Sequence, residues 1–205
     1  MRKTNSICDG VSVLLKKISM KTVPQPHIKI KDAIIQSHAI VTRNSWGTLK
    51  PNYQNLVLDW HYNSVVIHHS GNWGYKDPKQ IETEHMSDKK WDDVGYHYFI
   101  HPGSTIYEGR EIVYKGSHVR LANTGKIGIL MIGDYDHQWW DKDDTLVKSH
   151  LNTLKRFINS LKKIFPLRDL GGHKEYLPNQ GYSCPGSELM KVMDQLRNDL
   201  SLNAP

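Results

Sequence analysis

The chain has 205 residues, 38% of them hydrophobic and 23% charged, which is the composition of an ordinary globular domain. No apolar run approaches the roughly 18 residues of a membrane-spanning helix, so we predict no membrane span. The net charge of +6 lies within residues 1–31, which carry seven basic side chains and one acidic one. Because nucleic-acid binding requires a basic stripe across a folded surface, we do not expect nucleic acid as a partner.

The leading segment has no sustained hydrophobic pattern. Its apolar stretch, residues 11–15, is interrupted by Ser12 and is shorter than the roughly 7–15 residues of a secretion signal. We therefore predict no signal peptide and synthesis in the cytoplasm. We also predict a basic N-terminal extension over residues 1–40, followed by a single domain over residues 41–205. The extension is expected to be a solvated arm, with contact to an anionic polymer as the alternative.

Strands and helices alternate through the rest of the chain. Residues 64–69 are rich in β-branched side chains and predict a buried strand. Asp77 and Pro78 predict the N-cap and first position of a helix that runs to about residue 90. Residues 96–101 and 105–108 flank a Pro-Gly-Ser turn and predict a hairpin, while the apolar residues 127–132 predict a central strand.

Two amphipathic helices complete the pattern. The first, over about residues 144–164, carries apolar side chains at steps of three and four and stops before Pro166. Its stripe consists of Val147, Leu151, Leu154, Ile158 and Leu161. The second repeats the spacing at Leu189, Met193, Leu196 and Leu200. The predicted fold class is α/β, a central mixed β-sheet flanked by α-helices in a single domain.

Three separated residues have the chemistry of a zinc site. His68 lies in the first predicted strand, His173 follows two glycines, and Cys184 precedes Pro-Gly. Zinc accepts imidazole nitrogen and thiolate sulfur, and three protein ligands leave the fourth position for water. Taken singly, a core histidine at His68 and an inert buried thiol at Cys184 are the simpler interpretations. The only other cysteine, Cys8, lies in the leader, so we expect no disulfide.

Motifs that surround these residues occur in the order of a known family. They are Arg43-Asn44-Ser45-Trp46-Gly47, Val66-Ile67-His68-His69-Ser70, Trp91 to Ile100, Ile106 to Arg110, Gly116-Ser117-His118 with Asn123, Ile127-Gly128-Ile129, Gly172-His173 and Cys184-Pro185-Gly186. Over residues 41–200 the chain resembles the zinc-dependent N-acetylmuramoyl-L-alanine amidases of the peptidoglycan recognition protein superfamily, which also includes small phage amidases. The resemblance implies the fold of that superfamily.

The resemblance also implies a set of site residues. The ligands of one zinc ion would be His68, His173 and Cys184, with His69 turned to the other face of its strand. Tyr96 would be the catalytic tyrosine. Tyr182 stands where the family commonly has Lys or Thr, as a candidate second donor to the oxyanion. The predicted substrate-binding residues are His118 and Asn123, with a hydrogen bond that orders their loop as the alternative.

The implied reaction is hydrolysis of the amide between the lactyl group of N-acetylmuramic acid and L-alanine in peptidoglycan or a muropeptide. Zinc would lower the pKa of its bound water towards about 7, and Tyr96 would stabilise the oxyanion. The stretch between His173 and Cys184 is about three residues longer than usual, which would reshape the groove mouth. Among other rings, we expect Trp46, Trp91 and Phe99 in the core and His85 to be structural. Three tryptophans are expected to pack under loops, with stacking on sugar rings as the alternative: Trp73, Trp139 and Trp140.

Two alternatives differ in class from an amidase. One is a non-catalytic peptidoglycan-binding module, and the presence of Cys184 argues against it because loss of that ligand marks the receptors of the superfamily. The other is a regulatory protein that binds a macromolecule through its basic leader. An amidase without a signal peptide would reach the cell wall by non-classical release or injection, as a phage lysis enzyme or an antibacterial toxin. A toxin would imply a cognate immunity protein.

Overall fold

The computed structural model describes residues 22–71, 77–136 and 144–205. A five-stranded mixed sheet forms its centre, with the strand order β3-β2-β4-β1-β5. Strands β1, β2, β4 and β5 run parallel to one another, whereas β3 is antiparallel to β2. The strands are β1 Ser64–His69, β2 Tyr98–Ile100, β3 Ile106–Glu108, β4 Lys126–Met131 and β5 Asp169–Gly172. The predicted mixed sheet, its hairpin and its central β4 are confirmed.

Helices cover the sheet and connect its strands. They are α1 Gln25–Ser37, α2 Arg43–Trp46, α3 Pro78–Glu82 continued by a π-helix Thr83–Asp88, α4 Lys148–Lys162, α5 His173–Tyr176, a 3₁₀ helix Pro178–Gln180, α6 Ser187–Lys191 and α7 Met193–Leu200. Within the described residues, no helix combines the length and the apolar character needed to cross a membrane.

Most of the predicted helix positions agree with the structure. Asp77 accepts the N–H of Lys79 at 2.8 Å and donates its own N–H to Gln80, which is the capping arrangement expected at this start. The prediction for Val147 was wrong: α4 begins one residue later, and the Val147 side chain is 40% exposed as the N-cap. The predicted terminal helix is divided at Val192 into α6 and α7.

The sheet separates two apolar layers. One face of β1 and β4, with Ile67 and Ile129, packs on α4 and α7 in the main core. The opposite face carries Leu130, which packs with Trp46 and Phe99 in a smaller core. Because alternate residues of a strand point to opposite faces, His68 shares the face of its register partner Leu130. The first zinc candidate therefore lies on the side of the smaller core.

Part of the predicted N-terminal extension packs on the domain. In α1, Ile34 is buried in the main core, and Lys31 forms a 2.7 Å ion pair with Glu111. The predicted boundary at residue 40 stays a prediction. The predictions for four residues concern positions outside the described ranges: Cys8, Trp73, Trp139 and Trp140.

Candidate metal centre

The parallel pairing of β1 with β5 brings two histidines to one edge of the sheet. His68 is the second-last residue of β1, and His173 follows the end of β5. Parallel neighbours end at the same edge, so the two rings meet there with centroids 4.7 Å apart. The ligand atoms of His68, His173 and Cys184 all lie within 4.8 Å of one another. The structure thus brings together the three residues that the sequence predicts as metal ligands.

Close packing holds Cys184 against these histidines. Its Sγ lies 3.5 Å from Nδ1 of His68, and its carbonyl accepts the N–H of Lys174 at 2.9 Å. The adjoining Pro185 ring presses on Gly172, where an added Cβ would stand 2.4 Å from Pro185 Cδ. A side chain at position 172 would push the cysteine turn away from the strand, so this glycine is required by the close approach.

The three side chains fit a zinc ion by their chemistry. Nε2 of His173 is buried without a hydrogen-bond partner among the described residues, an arrangement that is costly unless a ligand satisfies it. Burial lowers the pKa of His68 well below its usual value, so the imidazole is neutral and has a free lone pair. Burial raises the pKa of the Cys184 thiol to about 12 in the metal-free protein. Two imidazoles and one thiol are a donor set that zinc prefers.

His118 lies beside the predicted ligand His68, and Asn123 is hydrogen-bonded to the backbone of His118. Nδ1 of His118 is 3.1 Å from Nε2 of His68, and its Nε2 is 3.3 Å from the carbonyl oxygen of Lys126. The amide oxygen of Asn123 accepts the backbone N–H groups of His118 and Val119, both at 2.7 Å. Asn123 therefore orders the loop that carries His118.

Tyr96 lies beside the first ligand. Its ring centroid is 4.9 Å from that of His68. Burial raises the pKa of Tyr96 well above its usual value, so the phenol keeps its proton and can donate a hydrogen bond. Behind it, the buried ring of His85 lies 5.5 Å away, and its Nδ1 accepts the N–H of Gly95 at 3.1 Å. This hydrogen bond orders the segment that carries Tyr96.

The second candidate donor, Tyr182, lies at the mouth of the site. Its ring stacks on His173 with centroids 4.6 Å apart and planes inclined by 21°. The side chain is 36% exposed. Tyr182 therefore covers the outer face of one predicted ligand.

His69 points to the other face of β1, as alternation predicts. Its Nδ1 accepts the backbone N–H of Tyr135 at 3.1 Å and lies 3.6 Å from a carboxylate oxygen of Asp134. These contacts support the loop after β4. His69 is absent from the ligand cluster that the described residues form.

A groove leads to the candidate centre. A cavity of about 440 Å³ is lined by Tyr96, His118, Asn123, His173 and Tyr182 among others. A second cavity of about 350 Å³ shares Trp91, Ser117 and Asn123 with it, so the groove continues beyond the first cavity.

Trp91 is a groove residue that sequence reasoning missed. We predicted Trp91 in the core with Trp46 and Phe99, which are buried, but its side chain is 37% exposed. Its ring contacts that of His85, with centroids 4.5 Å apart and planes inclined by 31°. The sequence signal for its exposure is the Lys89-Lys90 pair that precedes it. Lysine is rarely buried, so this pair indicates a segment at the surface.

Comparisons with known proteins identify the family of the chain. The family described as N-acetylmuramoyl-L-alanine amidase matches residues 59–187. Peptidoglycan-recognition protein SD of Drosophila simulans is 30% identical over 169 residues, which are 78% of this chain and 86% of that protein.

Solved structures show the same fold. The N-acetylmuramoyl-L-alanine amidase LysC of Clostridium intestinale superposes with a TM-score of 0.64 at 24% identity, covering 80% of this chain and 98% of that one. A complex of tracheal cytotoxin with the ectodomains of peptidoglycan recognition proteins LCa and LCx superposes with a TM-score of 0.63 at 25% identity, covering 76% and 95%. The chain therefore belongs to the N-acetylmuramoyl-L-alanine amidase family and shares its fold with the peptidoglycan recognition proteins.

Proposed function

We propose that the protein is a zinc-dependent N-acetylmuramoyl-L-alanine amidase that cleaves the lactyl-L-alanine amide of peptidoglycan or muropeptides. The observation that carries the proposal is the cluster of His68, His173 and Cys184, whose ligand atoms lie within 4.8 Å of one another at the end of a groove. Zinc held there would supply an acidified water molecule and a positive charge beside the scissile carbonyl.

The surrounding side chains would stabilise the oxyanion and bind the substrate. Tyr96 keeps its proton and would donate a hydrogen bond to the oxygen on which negative charge develops. Tyr182, at the mouth, is the proposed second donor. Asn123 uses its amide oxygen for two backbone N–H groups, which leaves its amide nitrogen to donate to the substrate. The predicted contact of His118 with substrate would use the ring carbons, because both ring nitrogens have protein partners.

The substrate class is supported by the family and by a structural neighbour that holds a muropeptide-like ligand. That neighbour, the complex of peptidoglycan recognition proteins LCa and LCx, contains tracheal cytotoxin. The family also includes members that bind without cleaving, so a binding module is the alternative. Cys184 favours catalysis, because a thiol buried beside two histidines is not needed for binding alone.

One experiment separates the two functions. Purified wild type, Cys184→Ala and the neighbouring control Ser183→Ala are compared for bound zinc, muropeptide binding and release of stem peptides from glycan. We expect about one zinc and peptide release for wild type and Ser183→Ala, and neither for Cys184→Ala. If Cys184→Ala releases peptides as fast as wild type, the zinc mechanism is wrong. If wild type binds muropeptides without cleaving them, the protein is a binding module.

The basic leader calls for a separate test of role. Because α1 packs on the domain through Ile34 and Lys31, the deletion should end before it and remove only residues 1–21. We propose that the leader is accessory and that peptide release survives the deletion.

We further propose action on the cell wall after non-classical release or injection, as a lysis enzyme or toxin. A toxin would be neutralised by a cognate immunity protein, which co-expression of neighbouring genes would reveal.

A further inference from the structure

The ring of His118 links the first metal ligand to a backbone carbonyl. Its Nδ1 lies 3.1 Å from Nε2 of His68, and its Nε2 lies 3.3 Å from the oxygen of Lys126. The His118 ring is buried and nearly perpendicular to that of His68, at 86°. Both nitrogens of His118 are therefore committed to protein partners.

The carbonyl at the end of this chain determines where each proton lies. A carbonyl oxygen only accepts, so Nε2 of His118 must carry a proton to donate to Lys126. In a neutral ring, Nδ1 of His118 is then the acceptor, and Nε2 of His68 must be the donor. This leaves the lone pair on Nδ1 of His68, the nitrogen that lies 3.5 Å from Sγ of Cys184. The nitrogen of His68 that faces Cys184 is thus the one able to bind a metal.

Two glycines make the space that His118 occupies. A Cβ at Gly128 would stand 2.5 Å from Cδ2 of His118, and a Cβ at Gly116 would stand 2.4 Å from the same atom. Neither approach is tolerated by real side chains. Gly128 lies in the central strand β4 as the register partner of Val66, so its backbone is held firmly. The missing side chains at Gly116 and Gly128 thus leave room for the His118 ring in the position that it adopts.

We propose that His118 is a positioning residue, which holds His68 in the Nε2–H tautomer and so directs Nδ1 to the zinc ion. This role rests on the proposed zinc amidase function and differs from the predicted contact with substrate. Partners of this kind on a metal-bound histidine change metal affinity by about 10- to 100-fold.

The direct test reads the tautomers by ¹⁵N NMR of histidine side chains in the full-length protein, with and without zinc. We expect His118 to be protonated at Nε2 and His68 at Nε2 in both states. A proton on Nδ1 of His118 would overturn the proposal. The metal-free measurement gives this answer even if the protein proves to bind no zinc, in which case the zinc amidase function fails separately.

A matched pair of variants tests the consequence for metal binding. His118→Asn places an amide oxygen near the position of Nδ1, whereas His118→Leu has similar volume and no acceptor. In competition with a chelator, we expect His118→Leu to bind zinc about 10- to 100-fold more weakly than wild type and His118→Asn to recover most of the loss. Wild-type affinity in His118→Leu, or equal losses in both variants, would show that the hydrogen bond does not position His68.

Discussion

The ring of Tyr182 lies flat on the ring of His173, with centroids 4.6 Å apart. The Tyr182 side chain can therefore act in two ways: its ring covers the predicted ligand His173, and its hydroxyl can donate a hydrogen bond to the substrate. Replacing only the hydroxyl separates the two. For Tyr182→Phe we expect unchanged zinc affinity and a kcat about 10-fold lower, less than the full cost of a buried oxyanion donor because the side chain is partly exposed. Muropeptide kinetics and zinc competition measure both quantities. Turnover at the wild-type rate would remove Tyr182 as a donor.

Tyr96 should contribute more, because it lies deeper in the site beside His68. We expect Tyr96→Phe to keep its zinc and to lose about a hundredfold in kcat, which corresponds to about 3 kcal/mol of transition-state stabilisation. The same kinetic assay, with zinc content measured on each preparation, gives the result. A variant with full zinc and undiminished kcat would contradict the assigned role.

The buried ion pair between Arg43 and Glu82 should contribute strongly to the stability of the fold. A carboxylate oxygen of Glu82 lies 2.7 Å from Arg43, and Glu82 also accepts the N–H groups of Thr48 and Leu49. Glu82→Gln leaves the Arg43 charge buried with Asp93, at 3.6 Å, as its one carboxylate partner among the described residues. We therefore expect a loss of about 3 kcal/mol in the free energy of unfolding.

Urea denaturation of Glu82→Gln provides the measurement. The control is Glu188→Gln, which removes the exposed ion pair with Lys191 and should cost less than about 1 kcal/mol. Equal losses in the two variants would show that burial does not strengthen the Glu82 pair.

Stability should fall in mild acid because of neutral buried histidines such as His150. Burial lowers the pKa of His150 to about 4, below the value near 6.5 of an unfolded chain. The unfolded state therefore binds the proton first as the pH falls, and the contribution of His150 is complete above about pH 6.5 and is lost between pH 6.5 and 4. Its magnitude is about 3 kcal/mol.

Urea denaturation at pH 7 and pH 4, with chelator present, compares wild type with His150→Gln. Glutamine does not titrate, so we expect the stability difference between the two proteins to shrink by about 3 kcal/mol on going to pH 4. A difference that stays constant with pH would mean that His150 is protonated at the same pH in the folded and unfolded states.

The strongly patterned elements were predictable from the sequence, and the glycine-rich ones were not. The β-branched run of β1 and the apolar run of β4 indicate strands by their composition. Strand β5 contains two glycines and no β-branched residue, so its sequence, Asp-Leu-Gly-Gly, indicates a loop. Pairing with β1 makes this segment a strand. The close approach of the Pro185 ring is the reason that position 172 is a glycine. Both causes are tertiary contacts that a single sequence does not display.

Helix α1 was not predicted from the sequence, for a different reason. Pro24 and Pro26 suggest an irregular segment, yet they are the N-cap and an early position of α1, where proline is compatible with a helix. Within the site, the three proposed ligands could be named from their chemistry and the family resemblance. The contact between His68 and His118 could not, since 50 residues separate the two in sequence and nothing in either motif indicates a hydrogen bond.

The candidate metal centre joins parts of the chain that are distant in sequence, because β1 pairs with β5. His68 and Cys184 are 116 residues apart in sequence, so an unfolded chain would have to close a long loop to offer both to one ion. Zinc would then bind the folded protein in strong preference to the unfolded one and would stabilise it in proportion to the logarithm of its concentration. Resistance of the protein to proteolysis would therefore rise with the concentration of free zinc.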